Sequence, residues 1–159
     1  MLNNSYSKTI EIGVIADTHG LLRPEAVEFL KGCHYILHAG DVGKESVLEE
    51  LRTIAPTFAV RGNVDRESWA RKLPEKEVVE IGNLSFYLVH NIEDLDLDPS
   101  EEFDAVIYGH SHIPKSYWKK GVIFFNPGGA GPRRFKLPIS VGRITIRNAR
   151  FESWTIKLI

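Results

Sequence analysis

Residues 11–41 read EIGVIADTHGLLRPEAVEFLKGCHYILHAGD, and this stretch decides the fold. Two nearly continuous apolar runs, residues 11–16 and 35–39, enclose a segment with helical spacing over residues 24–31. Continuous apolar runs are typical of strands that are covered on both faces, and the proline at position 24 suits a first helical turn. The stretch therefore predicts a strand, a helix and a second strand parallel to the first.

The same alternation continues beyond residue 41. Residues 46–51 have apolar side chains at helical spacing, and further apolar runs cover residues 57–61, 84–89, 105–108 and 122–125. Near the end, the runs 140–146 and 151–158 flank a turn-like segment and predict an antiparallel hairpin. We therefore expect an α/β fold in which two packed sheets are flanked by helices, within a single domain that comprises residues 1–159.

The bulk composition narrows the classes of function. The chain has 159 residues, 43% hydrophobic and 26% charged, with a formal net charge of −1. The net charge close to zero argues against a surface built mainly to bind nucleic acid or membranes. Cys33 is the sole cysteine, which excludes an internal disulfide or a thiolate zinc cage. Because residues 1–9 are polar, and no apolar run approaches the roughly 20 residues of a membrane span, we expect a cytoplasmic protein.

Polar side chains with metal-binding chemistry stand where the apolar runs end. The carboxyl ends of parallel strands meet at one edge of a sheet, and ligands of open α/β sheets bind there. We therefore expect these side chains to form one site. They are Asp17, His19, Asp41, Asn63, His90, His110 and His112.

The chemistry of this set favours a pair of metal ions. Two carboxylates, one amide oxygen and four imidazoles suit manganese, iron, zinc or cobalt better than calcium, which prefers oxygen ligands alone. Seven ligands are too many for one ion that must also bind water, but they suit two ions that share a bridging carboxylate and a bridging water. Such ions lie roughly 3.5–4 Å apart and promote in-line displacement at phosphorus.

An ordered series of short motifs carries a resemblance to a known family. Asp17-Thr18-His19, Gly40-Asp41, Gly62-Asn63, His90 and Gly109-His110-Ser111-His112 resemble the signature of the calcineurin-like metallophosphoesterases. The compact size and the Asn126-Pro127-Gly128 loop resemble the small bacterial and archaeal phosphodiesterase branch, whose fold the retromer scaffold Vps29 shares. The resemblance implies a four-layer αββα sandwich of two mixed β-sheets flanked by helices.

The resemblance also implies a role for each ligand. Asp17, His19 and His112 would hold the first metal. Asn63, His90 and His110 would hold the second, and Asp41 would bridge both. A hydroxide between two divalent ions would attack phosphorus in line, so that Asp41, Asn63 and His110 serve catalysis as well as metal binding. Manganese is the expected metal, with iron, zinc, nickel, cobalt or magnesium as alternatives.

The implied activity is that of a metal-dependent phosphoesterase acting on a small phosphate ester, more often a diester than a monoester. Relatives are often dimers, which leaves a homodimer open for this chain. One position departs from the family pattern. Many members have a histidine after Gly-Asn that protonates the leaving group, whereas this chain has Val64. Asp65, Arg66, Asn126 and Arg133 are candidate substrate contacts, and Asp65 or a water is a candidate for the missing proton transfer.

Two other functions stay open. A protein-interaction scaffold similar to Vps29 is the main alternative, because Val64 removes the usual proton donor; the retention of every expected metal ligand speaks against it. A metal-dependent nuclease fits the chemistry but lacks a basic surface by net charge.

His38 lies within an apolar run, so we expect a hydrogen-bonded core histidine rather than a ligand. The acidic run at residues 93–98 predicts a solvated loop.

Overall fold

The computed structural model describes residues 8–159; the part of the polar N-terminal segment before Lys8 lies outside this range. The described chain forms ten strands and two α-helices. These are β1 (Thr9–Ile15), α1 (Pro24–Leu30), β2 (Tyr35–His38), α2 (Glu45–Ile54), β3 (Thr57–Ala59), β4 (Lys76–Ile81), β5 (Leu84–Val89), β6 (Ala105–Ile107), β7 (Lys115–Lys119), β8 (Val122–Asn126), β9 (Ser140–Arg147) and β10 (Arg150–Leu158). Short 3-10 helices cover Ser68–Lys72, Ile92–Asp94 and Pro99–Glu101.

The first sheet has the strand order β10-β9-β1-β2-β3. Its strands β1, β2 and β3 are parallel, and α1 and α2 connect them. The helices cover the outer face of this sheet, where Leu30 and Leu51 are fully buried against Ile36. Strands β9 and β10 form an antiparallel hairpin that pairs with β1. The predicted strand–helix–strand series and the predicted hairpin are both confirmed.

The second sheet has the order β4-β5-β6-β8-β7. Strands β5, β6 and β8 are parallel, while β4 and β7 are antiparallel edge strands. These two edge strands were not expected from the sequence. Most residues of β7 and two of the six in β4 are exposed, and charged residues interrupt both strands, because an edge strand does not need to be apolar on both faces. A continuous apolar run therefore does not mark them.

A shared core between the two sheets holds the layers together. It includes Ile12 and Ile144 from the first sheet and Phe86, Ile107 and Phe125 from the second, all fully buried. On the outer face of the second sheet, the 3-10 helices and adjoining loops pack on buried aromatic residues. The sandwich of two mixed sheets is confirmed, and in its fourth layer the described residues form short 3-10 helices and loops in place of α-helices. No helix within residues 8–159 combines the length and apolar character needed to cross a bilayer.

Candidate metal centre

The centre is built from loops that follow the carboxyl ends of five strands. Strands β1, β2 and β3 lead into Asp17, Asp41 and Asn63, while β5 and β6 lead into His90 and His110. A hydrogen bond from the His110 amide to Asp17 Oδ2, 3.0 Å long, joins the loops of the two sheets. All seven side chains expected from the sequence therefore reach one edge of the sandwich.

The ligand loops have an unusual backbone. Five of the residues expected to bind metal adopt left-handed φ angles. They are Asp17 (53°), His19 (45°), Asp41 (55°), His110 (72°) and His112 (60°). Asp and His tolerate this region better than most residues, but each such residue still costs about 1 kcal/mol or more. Strain concentrated in one set of loops indicates that packing holds these side chains in a required geometry.

One group of converging side chains contains Asp17, His19 and His112, whose ligand atoms lie within 4.8 Å of one another. The Nε2 atoms of His19 and His112 are 3.3 Å apart. His112 Nε2 also lies 3.6 Å from Asp17 Oδ1. Burial, followed by the neighbouring His19, lowers the pKa of His112 to about 4. This imidazole is therefore neutral near pH 7, which is the form that binds a metal.

A second group contains Asp41, His90 and His110, again within 4.8 Å. His90 Nε2 lies 3.2 Å from Asp41 Oδ2 and 3.0 Å from Asn63 Oδ1. His110 Nδ1 lies 3.3 Å from the same Asn63 oxygen. Asn63 therefore belongs with this group, although an amide is a weaker indicator of a metal site than a carboxylate.

Asp41 lies between the two groups. Its Oδ2 atom is 3.6 Å from His19 Nε2 of the first group and 3.2 Å from His90 Nε2 of the second. Burial alone would raise the pKa of Asp41, but the hydrogen bond and charge of His90, together with the Val64 amide and His19, outweigh burial, and the pKa is lowered. Asp41 thus approaches ligand atoms of both groups, and it lies closer to His90 of the second group than Asp17 does, at 3.2 Å against 3.9 Å.

Asp17 provides a direct test of whether a cation fits. Its side chain is fully buried, and its Oδ1 atom has no hydrogen-bond partner among the described residues. The Nε2 atoms of His19, His90 and His112 surround this oxygen at 3.9, 3.9 and 3.6 Å. Burial raises the pKa of Asp17 to about 7. A divalent cation would satisfy this oxygen and remove the cost of burying its charge, so the residues fit a metal.

His90 is oriented by a backbone carbonyl. Its Nδ1 atom lies 2.7 Å from the carbonyl oxygen of Ala39 and donates to it. The other ring nitrogen, Nε2, then points at Asp41 and Asn63. A metal-binding histidine usually donates its second N–H in this way, which fixes the ring and its tautomer.

His38 is buried and hydrogen-bonded, as expected from the sequence. The Thr18 hydroxyl donates to the Val42 carbonyl oxygen, so it must accept from His38 Nε2, 3.0 Å away. The Gly40 amide donates to His38 Nδ1. The ring is thus neutral, and burial lowers its pKa to about 3. It joins the loop that carries Asp17 and His19 to the loop that carries Asp41.

Asp65 is not placed as a substrate contact or a proton donor. The residue is buried, and its carboxylate accepts the backbone N–H groups of Val42, Gly43 and Gly62 at 3.1, 2.9 and 2.9 Å. These bonds join the loop after β2 to the loop after β3. The sequence interpretation missed this role because the three donors are separated from Asp65 by up to 23 positions.

Asn126 is likewise turned inward. Its amide nitrogen donates to the Gly109 carbonyl and to Ser111 Oγ, and its Oδ1 atom accepts from the Gly128 amide. It therefore supports the loop of His110 and His112 rather than facing a substrate. Arg66 is exposed and donates to the Asn63 carbonyl.

Glycine is required where loops approach the ligands most closely. A Cβ atom at Gly62 would lie 2.1 Å from Asp41 Oδ1, and one at Gly129 would lie 2.6 Å from His112 Nδ1. Any larger residue at these positions would displace a ligand side chain. The glycine that precedes Asn63 thus leaves the space that the Asp41 carboxylate occupies.

Two clefts open beside the ligands. The first cleft, about 490 Å³, is lined by His19, Asp41, Asn63, Val64, His110, His112, Pro132, Arg133 and Arg134. The second cleft, about 470 Å³, is lined by Arg61, Gly62, Asn63, Glu75, Lys76, Val89, His90, Asn91, Asp94 and His110. Of the candidate substrate contacts, Arg133 alone lines either cleft. The contribution of Lys76 was missed because β4 was not expected.

The family model of the calcineurin-like phosphoesterase superfamily domain matches residues 10–149. The chain belongs to this superfamily. A probable metallophosphoesterase of Methanothermobacter thermautotrophicus is 34% identical over 132 residues, which cover 74% of this chain and 75% of the relative. A phosphodiesterase of Methanocaldococcus jannaschii is 29% identical over 138 residues, with coverages of 75% and 83%.

Among solved structures, zinc-complexed Vps29 from Entamoeba histolytica has the same fold. The TM-score is 0.75, with 21% identity, and the match covers 94% of this chain and 98% of Vps29. The superfamily implies divalent metal ions, and the two converging groups provide two candidate sites for them. The expected family and the expected fold are therefore confirmed.

Proposed function

We propose that this phosphoesterase superfamily member is a dinuclear metal-dependent phosphodiesterase. One observation carries the proposal: two groups of metal-ligating side chains meet at Asp41, which is close to ligand atoms of both. The orphaned oxygen of Asp17 supports it, since a buried carboxylate oxygen without a hydrogen bond needs a cation. The phosphodiesterase of Methanocaldococcus jannaschii supports the choice of a diester.

The chain's own residues would divide the work as the family resemblance implies. Asp17, His19 and His112 would hold one ion, Asn63, His90 and His110 would hold the other, and Asp41 would serve both. Divalent ions, when bound, supply the positive charge that lowers the pKa of a water and neutralises the phosphate oxygens. Manganese is the proposed metal on the family resemblance, and the mixed nitrogen and oxygen donor set is compatible with it.

The residues beside the metal ligands would orient the substrate. Arg133 and Arg134 line the first cleft, where their guanidinium groups would bind the phosphate. Val64 lines the same cleft and is 43% exposed, but its side chain cannot donate a proton. Substrates whose leaving group departs as a weak base are therefore favoured, because general acid catalysis is typically worth about 10²–10⁴-fold.

The remaining features of the proposal concern partners and location. The substrate is a small phosphate ester, and the cationic side chains in the clefts are too few for a nucleic-acid surface. A lone buried thiol, Cys33, suits a reducing cytoplasm. A homodimer is proposed on the family resemblance. Size-exclusion chromatography with light scattering tests it, and a monomeric mass would contradict it.

Hydrolysis of bis(p-nitrophenyl) phosphate tests the activity. We expect release of nitrophenolate with added manganese, loss of release with a chelator, and recovery when manganese returns. Asp41→Ala should lower kcat by about 10³-fold or more, because both groups lose their shared carboxylate. Glu49→Ala, which removes an exposed carboxylate on α2, is the matched control and should retain full activity.

Metal stoichiometry is an independent test. Equilibrium dialysis against manganese should give two ions per wild-type chain and one or fewer for Asp41→Ala. A value of one for the wild type would contradict the dinuclear centre. Equal inactivity of manganese-loaded wild type and Asp41→Ala on activated monoesters and diesters would overturn the enzymatic function.

A scaffold function is the second candidate. Two observations favour it: the Vps29 fold and the valine at position 64, where a proton donor would act. A scaffold does not need two complete ligand groups, so inactivity together with zero or one bound metal would favour this function over catalysis.

A further inference from the structure

We propose that the substrate is an asymmetric phosphodiester, one of whose two alcohol components is an uncharged polyol bound in the second cleft. This inference rests on the proposed phosphodiesterase function and deepens it. The shape of the site motivates it: two clefts of similar volume lie on either side of the ligands and meet at two residues, Asn63 and His110.

The shared residues place the reacting phosphorus between the clefts. Asn63 and His110 belong to the second ligand group. Asp41 and His19, which line the first cleft, lie beside that ligand group. A phosphate held at this junction would direct its two ester substituents into separate clefts. A monoester has one substituent and would use one cleft only.

The first cleft is cationic and partly apolar. Arg133 and Arg134 are exposed, and Val64 and Pro132 add apolar surface. Such a lining suits the phosphate oxygens together with an apolar substituent, because the arginines bind oxygen anions while the apolar side chains exclude water.

The second cleft has a different chemistry. Its lining includes two cations, Arg61 and Lys76, and two carboxylates, Glu75 and Asp94. Arg61 Nη2 lies 2.9 Å from Glu75 Oε1, and Lys76 Nζ lies 3.1 Å from Asp96 Oδ2 outside the cleft. Because the formal charges of these four lining residues cancel, the cleft does not favour a second phosphate. Paired donors and acceptors instead match hydroxyl groups, which both donate and accept.

The balanced reaction is a hydrolysis that needs no other reactant than water. A water oxygen bonds to phosphorus, and the bond from phosphorus to the oxygen of the leaving group breaks with its electron pair. The released oxygen becomes an alcohol or phenolate. The polyol remains as a phosphate monoester, and the proton of the water passes to solvent or to the leaving oxygen.

Two diesters with the same leaving group test the inference: glyceryl p-nitrophenyl phosphate and methyl p-nitrophenyl phosphate. Since the broken bond is the same, the ratio of their kcat/KM values reports on the second substituent. We expect wild type to favour the glyceryl ester about tenfold or more, mainly through KM, because two or more hydrogen bonds distinguish the substrates.

Two neutralising variants locate the effect in the cleft. Glu75→Gln and Asp94→Asn should each lower the glyceryl preference about threefold, because each removes a carboxylate acceptor. Their matched controls are Glu77→Gln and Glu93→Gln, which make the same charge change on residues nearby in the chain that do not line the cleft. A preference near one in wild type, or an equal loss in the controls, would overturn the inference.

Product binding separates this inference from the proposed function. Isothermal titration with glycerol phosphate and methyl phosphate measures the second cleft without turnover. Tighter binding of glycerol phosphate to wild type, lost in Asp94→Asn, supports the polyol cleft even if hydrolysis fails. Hydrolysis of both diesters at equal rates, with equal product affinities, overturns the polyol cleft and leaves the phosphodiesterase function standing.

Discussion

The two sheets contribute different chemistry to the metal centre and support it in different ways. The loops of the first sheet supply both carboxylates, Asp17 and Asp41, together with Asn63 and His19, whereas the second sheet supplies only imidazoles. Buried hydrogen bonds through His38 and Asp65 join the loops of the first sheet to one another. On the second sheet, the comparable support within residues 8–159 comes from Asn126.

This difference has a physical reason. Two carboxylates that lie close together repel each other, so their positions must be imposed by the surrounding structure. Imidazoles carry no negative charge in either protonation state, and a single backbone hydrogen bond, such as that from His90 to the Ala39 carbonyl, orients the ring. Loss of the Asp65 carboxylate, which joins two loops of the first sheet, should therefore cost more than loss of the Asn126 amide on the second sheet.

Asp65→Ala should have the largest effect on stability. It leaves two buried backbone N–H groups and one partly buried one, that of Gly43, without an acceptor, so we expect a loss of about 3 kcal/mol in the free energy of unfolding. Urea denaturation measures this loss, and manganese affinity should fall as well. Asp104→Ala is the matched control, because the Asp104 carboxylate accepts one backbone N–H, that of Ser85, and should cost about 1 kcal/mol. Equal losses would show that Asp65 is not a special support.

Asn126→Ala should have an intermediate effect on the free energy of unfolding. The change leaves the Gly109 carbonyl and the Gly128 amide unpaired, and we expect a loss of about 2 kcal/mol. Urea denaturation again provides the measurement. Because this support belongs to the second sheet, a loss greater than that for Asp65→Ala would reverse the comparison between the two sheets.

His38→Gln should have the smallest effect at neutral pH and a distinct effect in acid. The pKa of His38 is about 3 in the folded chain against an ordinary value of 6.5. The unfolded chain therefore binds one more proton between these values, and stability present above pH 6.5 is lost as the pH falls toward 3. The variant should reduce the slope of the free energy of unfolding against pH by about 1.4 kcal/mol per pH unit. Urea unfolding of wild type and variant between pH 6 and 4, with a chelator present, measures it, and parallel slopes would contradict the buried neutral ring.

The apolar runs and the residues that end them were sufficient to predict the interior of this fold. Strands buried on both faces, such as β2 and β6, are continuous in the sequence, so their type and order were recognisable. The edge strands β4 and β7 were not, because solvent covers one side of each and polar residues are tolerated there.

The sequence by itself determined which side chains could bind metal, since Asp, Asn and His at strand ends are local features and the topology of parallel strands brings those ends together. Only the tertiary structure decided the roles of their neighbours. Asp65 and Asn126 had the residue types of substrate contacts, but their hydrogen-bond partners come from distant segments that the folded chain brings within 3.1 Å. Likewise, the lining of the second cleft combines Lys76 of β4 with His90, residues that lie in separate segments of the chain. The ability of a side chain to bind metal is a property of a single position. The hydrogen bonds that hold the ligand loops, and the shape of the clefts, depend on packing between segments.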